Sequence, residues 1–585
     1  MAAEEIDPRS ALGQGPLPYA LASALRWLAF REARKRVDEV AAGGALRASQ
    51  AARHAEALRA LGVPAAALEL KDGDISAVLG AAAATASAWA APDKDALQAV
   101  AGAVVAEAGR AAEATCRGQP LSSPDASADP MGLILSMARG CGRYWALMAR
   151  GQAEDARRAL FLLLRDFLRA YWAPPPWRGA NLGGWLLLEP GPASPFFDTC
   201  QESIVSANGS SGQGATLSGQ ENPVGLDDEH SLCRALESAG GSEMRKVLFA
   251  KHRSEHYGEA TFEKLARSGV NAVRLPFGHW VVAGPGEGEA YEGPCLEILD
   301  RAVELANAHG LQVLLDLHGN PGGESGDRPC GKSNPKWRWQ DWRREEAVEL
   351  LGKVAARFSK DKCVTGLQVC NEPSDRVPVG ELCGFYERAI EAIRAAGMGP
   401  DHVAVVLPIF THWRAPEIVS YWHKRGNFFK YDNVAFDFHY YHQFDPIWKM
   451  LSQAQHLDVV ADHARELALL PGAVVGEWSL SRPSKFSEED KAAFAVHQVM
   501  GYNHSTHGWF FWNWHDHEFY PDWDMERGLL DSGKLPCPLT QRELREVLYP
   551  EWERDSWANV PTQPIPAFWP KLFGWAAWAK RIVGK

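Results

Sequence analysis

The stretch "VTGLQVCNEP" (residues 364–373) is an apolar run, Val364 to Cys370, that stops at an amide, a carboxylate and a proline. A carboxylate at the lip of a core strand is costly unless it is paired or used. Seven further runs have the same β-rich character: RGANLGGWLLL (178–188), NAVRLP (271–276), LQVLLDLH (311–318), HVAVVLP (402–408), NVAFDFH (433–439), AVVGEW (473–478) and GWFFWNW (508–514). Several are apolar throughout rather than alternating, as strands covered on both faces are. Helical periodicity fills 259–268, 296–309, 344–358, 378–396 and 487–500. Eight such units predict the α/β class and a (β/α)8 TIM barrel. The alternative, a doubly wound sheet, needs a Gly-rich phosphate turn after its first strand, and here Gly183-Gly184 leads into Trp185 and more strand.

Upstream the chemistry changes. Residues 1–173 are Ala-rich, and of the 23 tryptophans only Trp27, Trp89 and Trp145 fall in the first 170 positions. Leu160, Leu163, Leu164, Phe167 and Tyr171 recur at helical spacing, as do apolar positions in 43–61 and 94–116. The pattern predicts an N-terminal all-α bundle of five or six helices, structural or partner-docking, whose partner is unknown. Pro174-Pro175-Pro176 suits a stiff connector to a barrel domain over 174–565. Two long inserts, 197–250 and 279–295, interrupt the barrel pattern, the first with a Gly/Ser/Gln-rich segment at 207–226. The tail 566–585 carries Trp569, Trp575 and Trp578 among Lys and Arg. It reads as an amphipathic segment packing on its own domain, with membrane association as the alternative.

The formal charge of -12 offers no electrostatic case for nucleic acid. Ten cysteines without a C-x-x-C pair exclude zinc-ribbon and thioredoxin readings, and structural free thiols are favoured over disulfides. The acidic start lacks the basic, cleanly apolar form of a signal peptide, and no apolar run is long enough to span a bilayer, so a cytoplasmic location is favoured over an extracellular one. Sequons at Asn208 and Asn503 matter only on secretion. His515-Asp516-His517 lacks a third partner at metal-binding spacing and reads as loop polarity. Trp280, Trp337, Trp339 and Trp342 either line an outer subsite or pack.

A barrel gathers the C-terminal ends of its strands into one mouth. The polar residues there are Arg274, His318, Asn371 with Glu372, His439 with Tyr441, Glu477 and Trp512, with Glu189 after the first strand. Two carboxylates facing one cavity suit glycoside hydrolysis, one as acid on the leaving oxygen, the other attacking the sugar or activating water. Arg274 would keep a nucleophile ionised, and Trp512 offers a sugar a stacking face.

"GLQVCNEP" resembles the fourth-strand motif of glycoside hydrolase family five. With "RGANLGGWLLLEP", "DEHSLC" (228–233), "GVNAVRLPFGHW", "LLDLHGNPGG", "DFHYYHQF", "VVGEWS" and "GWFFWNW" in order, the chain is most similar to fungal-type exo-β-1,3-glucanases. The resemblance implies Glu372 as acid/base and Glu477 as nucleophile. It implies Arg274, His318, Asn371, His439 and Tyr441 as the supporting set, Glu189 and Trp512 at the donor sugar, and no metal or cofactor. The implied reaction is retaining cleavage of β-glucosidic bonds, foremost those of β-1,3-glucan. The alternatives are a transglycosylase, a hydrolase of other β-glucosides including glucolipids, and a carbohydrate-binding pseudoenzyme. The sequence departs from the family at Gly191, at Ser325-Gly326-Asp327-Arg328, at Cys370, at Tyr440 and at "IFTHW", so the reaction type is better marked than the sugar.

Overall fold

A computed structural model describes residues 17–42, 94–119, 130–172, 174–207, 226–410, 414–483, 485–516 and 520–539. Eight strands close into a parallel barrel in chain order: β1 (Trp177–Asn181), β2 (Ala272–Gly278), β3 (Gln312–Gly319), β4 (Val364–Gln368), β5 (Ala404–Pro408), β6 (Val434–Tyr440), β7 (Ala473–Trp478) and β8 (Gly508–Phe511). β8 returns to β1, with Trp177 opposite Gly508, and closure excludes the open doubly wound sheet.

The barrel is a packed core built in layers. Low in it, Trp177 donates from Nε1 to Thr365 Oγ1 at 2.9 Å. Glycines make room for the large rings: a Cβ on Gly179 would stand 2.1 Å from Phe510, and one on Gly366 2.9 Å from Trp177. Above that apolar floor, Asn181, Arg274, Asp316, Gln368 and Asp437 form a fully buried polar layer. The register shifts at the upper ends, where His318 is an extra residue of β3 opposite Phe277/Gly278 of β2 and Gly476 an extra residue of β7 opposite Phe438/His439 of β6.

The first strand is shorter than the run 178–188 suggests. Gly184 takes φ 74°, a left-handed conformation that ends the extended chain, and only Leu186 rejoins the sheet, through a bridge to Phe277. β8 likewise stops at Phe511, which leaves Trp512 to Trp514 in the loop beyond it. The insert after β1 is substantially helical, with helices over Ser194–Ala207 and Glu229–Glu255. Asp228 caps the second, accepting from Ser231 N at 2.6 Å. The buried Glu229 carboxylate accepts from Leu188 N and Trp280 Nε1, both at 2.9 Å, which gives the "DEHSLC" segment a structural job.

Among the described residues four helices precede the barrel: α1 (Tyr19–Ala42), α2 (Lys94–Cys116), α3 (Pro130–Ala149) and α4 (Ala153–Tyr171). The run 43–61, the segment 208–225 and the tail 566–585 lie outside the described residues. The helices share one continuous core with the barrel. Arg26, 2% exposed, bridges to Asp432 at 2.7 Å, Phe30 meets Phe429 edge-on at 5.3 Å, and Arg165 donates to Ala468 O at 2.6 Å. Trp172 sits 4.4 Å from His507. Asp432, Ala468 and His507 each lie just before β6, β7 or β8, so the helices close the N-terminal end of the barrel, opposite its mouth. All ten cysteines are free thiols, and only Cys537 is exposed. Among the described residues no helix is long and apolar enough to cross a membrane.

Candidate active site

The upper end of the barrel brings eight of the nine residues singled out in the sequence into one bonded or stacked set, with Glu189 beside it. Arg274, on β2 and fully buried, is the hub. Its Nη1 donates to Glu477 Oε1 and Asn181 Oδ1, both at 2.8 Å, its Nη2 to Asn371 Oδ1 at 2.9 Å, and its Nε to Gln368 Oε1 at 3.0 Å. Asp316 Oδ2 lies 2.9 Å from Nη2 and 2.6 Å from His318 Nδ1. One planar cation from β2 thus fixes side chains from β1, β3, β4 with the turn after it, and β7.

Glu477 comes from β7 and Glu372 from the turn beyond β4. Tyr441 donates to Glu477 Oε2 at 2.7 Å. His439 Nδ1 stands 2.7 Å from Glu372 Oε1 and 3.4 Å from Glu477 Oε2, while its Nε2 faces Asp437 Oδ2 at 3.2 Å. An oxygen of each carboxylate and a nitrogen of His439 lie within 4.8 Å of one another. Trp512 forms the other wall, stacked over His318 at 5.8 Å and 19°. Gly183 supports it from below, since a Cβ there would come within 2.9 Å of the Trp512 ring.

The charges sort the two carboxyls. Burial works against ionisation of Glu477, yet His439, Arg274 and His318, together with the Tyr441 hydroxyl, hold its pKa below the ordinary carboxylate value. Burial raises Glu372 above that value, and the Glu477 charge adds to the rise against the pull of His439. Burial disfavours a charged His439, but Glu477 and Asp437 outweigh it and hold the imidazole protonated. Burial pushes Glu189 up to about 7, opposed by His318 and assisted by Glu477 and Glu372. Neighbouring acids with acidities driven apart are equipped for opposite roles, one as proton donor and one as anion.

Asn181, Asp316, Gln368 and Asp437 were not singled out in the sequence. Gln368 Nε2 donates to Asp437 Oδ2 at 2.9 Å, and Gly476 N donates to Asp437 Oδ1 at 2.6 Å. The available signal was Asp-x-His in two strands, Asp316 with His318 and Asp437 with His439. Period-two spacing puts both members on one face, so each His bonds the Asp below it. The four tryptophans near the mouth divide unevenly. Trp280 is fully buried and stacked on Tyr291 at 3.7 Å, and Trp337 and Trp342 are also buried, so these three pack rather than face a subsite. Trp339 lies beneath the Arg344 guanidinium at 5.0 Å. His515 pairs with Glu526 at 2.9 Å, and His517 lies outside the described residues.

Residues 240–518 match the family described as Cellulase (glycosyl hydrolase family 5). Over that stretch the chain is similar to glycosyl hydrolase family 5. The match runs from within the helix Glu229–Glu255 to just past β8, and so contains both carboxylates. Among the curated relatives is "Probable glucan 1,3-beta-glucosidase A" of Aspergillus clavatus, 28% identical over 410 residues, 63% of this chain and 88% of its own. "Glucan 1,3-beta-glucosidase" of Kluyveromyces lactis is 26% identical over 415 residues, 63% of this chain and 90% of its own. The solved structure of rutinosidase from Aspergillus niger superposes with a TM-score of 0.49 at 17% identity, over 62% of this chain and 99% of that one. The barrel here differs from a bare barrel in carrying α1–α4 on its N-terminal end.

Proposed function

We propose that the protein is a retaining glycoside hydrolase of β-glucosidic bonds, acting on β-1,3-glucan by double displacement. The observation that carries this reading is the Glu372–Glu477 pair: carboxylate oxygens within 4.8 Å, one His between them, and acidities driven in opposite directions. Retaining enzymes hold their two carboxyls about 5–5.5 Å apart, and inverting ones leave a wider gap for water.

In the first half-reaction Glu372 gives its proton to the glycosidic oxygen. The C1–O bond breaks and a bond forms from C1 to a Glu477 oxygen. Arg274 and Tyr441 hold Glu477 as the anion aimed at C1, and Asn371, fixed by Arg274, presents its amide to the adjacent hydroxyl. Esterification removes the Glu477 charge, and with it one of the contributions that raises Glu372. Glu372 then ionises more readily and takes a proton from the incoming water, whose oxygen replaces Glu477 on C1. Trp512 and Glu189 bind the glucosyl unit. The linkage is supported by the names of the relatives.

The test is hydrolysis of laminarin-type β-1,3-glucan beside β-1,4- and β-1,6-glucan and glucosylceramide, with the anomer released followed by proton NMR. Release of the β-anomer from β-1,3-glucan is expected. Release of the α-anomer would overturn the mechanism, preference for another substrate would overturn the linkage, and binding without turnover would point to the pseudoenzyme.

A further inference from the structure

The turn that carries Glu372 is not anchored by its own strand. β4 ends at Gln368, and Asn371 and Glu372 stand beyond its last ladder bond. What grips the turn is Glu324, six residues past His318 in the loop after β3 and fully buried. Its Oε1 accepts from Asn371 N at 3.3 Å, its Oε2 accepts from Asn320 N at 3.2 Å, and its backbone carbonyl accepts from Ser374 N at 3.0 Å. Two of these bonds tie both flanks of Glu372 to the β3 loop, and the third fixes the Glu324 carboxylate within that loop.

The loop itself is stiffly held. Asn320 donates from Nδ2 to Leu317 O at 3.0 Å and accepts from Trp342 Nε1 at 3.3 Å, and Trp337 Nε1 donates to Gly323 O at 3.1 Å. Cys330, also buried, lies against Ser325 with Sγ 3.2 Å from Oγ. A carboxyl in such a place is not a packing choice. Burial pushes its pKa up to about 7, against three backbone N–H donors, its own among them. An apolar side chain would avoid that penalty but would leave the Asn320 and Asn371 amides without acceptors.

We propose that Glu324 is a positioning residue for the acid/base: it acts through the Asn371–Ser374 turn and sets where the Glu372 carboxyl meets the glycosidic oxygen. The inference rests on the reading of Glu372 as the acid. Glu324 touches neither Glu372 nor Glu477, whose own bonds run to His439, Arg274 and Tyr441. Loss of Glu324 therefore displaces the proton donor relative to the leaving group more than it displaces the nucleophile. A glucoside whose leaving group needs protonation should suffer, and one that departs as a stable anion should not.

The experiment compares wild type, E324A and E324Q on an alkyl β-glucoside and a dinitrophenyl β-glucoside, with kcat and KM taken separately and folding checked by thermal melting. General acid assistance is worth about 10²–10⁴-fold, so E324A is expected to lose about tenfold or more in kcat/KM, which reports the first half-reaction, on the alkyl glucoside and to change little in kcat/KM on the activated one. E324Q retains one acceptor oxygen and should lie between. Equal falls on both substrates, or no fall in a folded variant, would overturn the proposal while leaving the proposed function standing. If E324A does not fold, E324Q carries the same comparison alone: the ratio of its two kcat/KM values must depart from that of wild type. A wild type inactive on both glucosides would instead sink the proposed function.

Discussion

Arg274 donates to Glu477 across the barrel interior at 2.8 Å, and neither side chain has room to leave: Arg274 is fully buried and Glu477 is 4% exposed. The same guanidinium holds Asp316 and Asn371, so it fixes the charge and the geometry of the site together. Arg274→Met leaves buried carboxylates without their cation, a change that costs about 3–5 kcal/mol. Glu477 is depressed in the folded protein, so its contribution to stability is present above the ordinary carboxylate pKa and fades as pH falls through its own lowered value. The stability gap between wild type and variant, measured by urea titration, is therefore expected to narrow towards acid pH. A gap that widens there would refute the assignment.

Glu372→Ala and Glu477→Ala should fail differently. With an activated aryl β-glucoside and sodium azide, Glu372→Ala forms the intermediate without acid help and should yield the β-glucosyl azide. Glu477→Ala lacks a nucleophile, so azide attacks directly and the α-azide is expected. Product stereochemistry by NMR decides the roles, and a β-azide from Glu477→Ala would reverse them.

The pH profile of kcat/KM should be a bell whose acid limb reports Glu477 and whose alkaline limb reports Glu372. The first lies below and the second above the ordinary carboxylate range. Because the Glu477 charge raises Glu372, Glu477→Gln should lower the Glu372 pKa, which a ¹³C NMR titration of the variant reads directly. An unchanged or raised value would mean that the two carboxyls do not sense each other.

Gly183 faces the Trp512 ring so closely that an added Cβ would stand 2.9 Å from it. Overpacking of this kind costs about 1–3 kcal/mol. Gly183→Ala should tilt Trp512 and raise KM for a glucoside about tenfold, since about 1.4 kcal/mol is a factor of ten in binding. Unaltered KM would show that Trp512 does not shape the sugar site.

The helices on the far end of the barrel should matter for stability and not for turnover. Asp432 accepts from Arg26 at 2.7 and 3.1 Å and from the Tyr19 hydroxyl at 2.5 Å. Asp432→Ala strands a buried guanidinium and is expected to lose about 3–5 kcal/mol of stability. Well below the melting temperature kcat/KM should stay within twofold of wild type. A large fall there would mean that the helical module reaches the mouth.

The sequence by itself determined the barrel, the helical region before it and the two carboxylates. Those features rest on local rules: strands buried on both faces must be apolar along their length, and a carboxylate ending such a run must be used. Period-two spacing also carried the Asp316–His318 and Asp437–His439 pairs, had they been sought. Only the tertiary structure decided how the site is held together. That Arg274 meets five partners, that Glu324 grips the turn of Glu372 from another loop, and that α1–α4 seal the opposite end depend on residues far apart in the chain. A buried polar side chain looks the same in sequence whoever its partner is, and closure of the barrel chooses the partner.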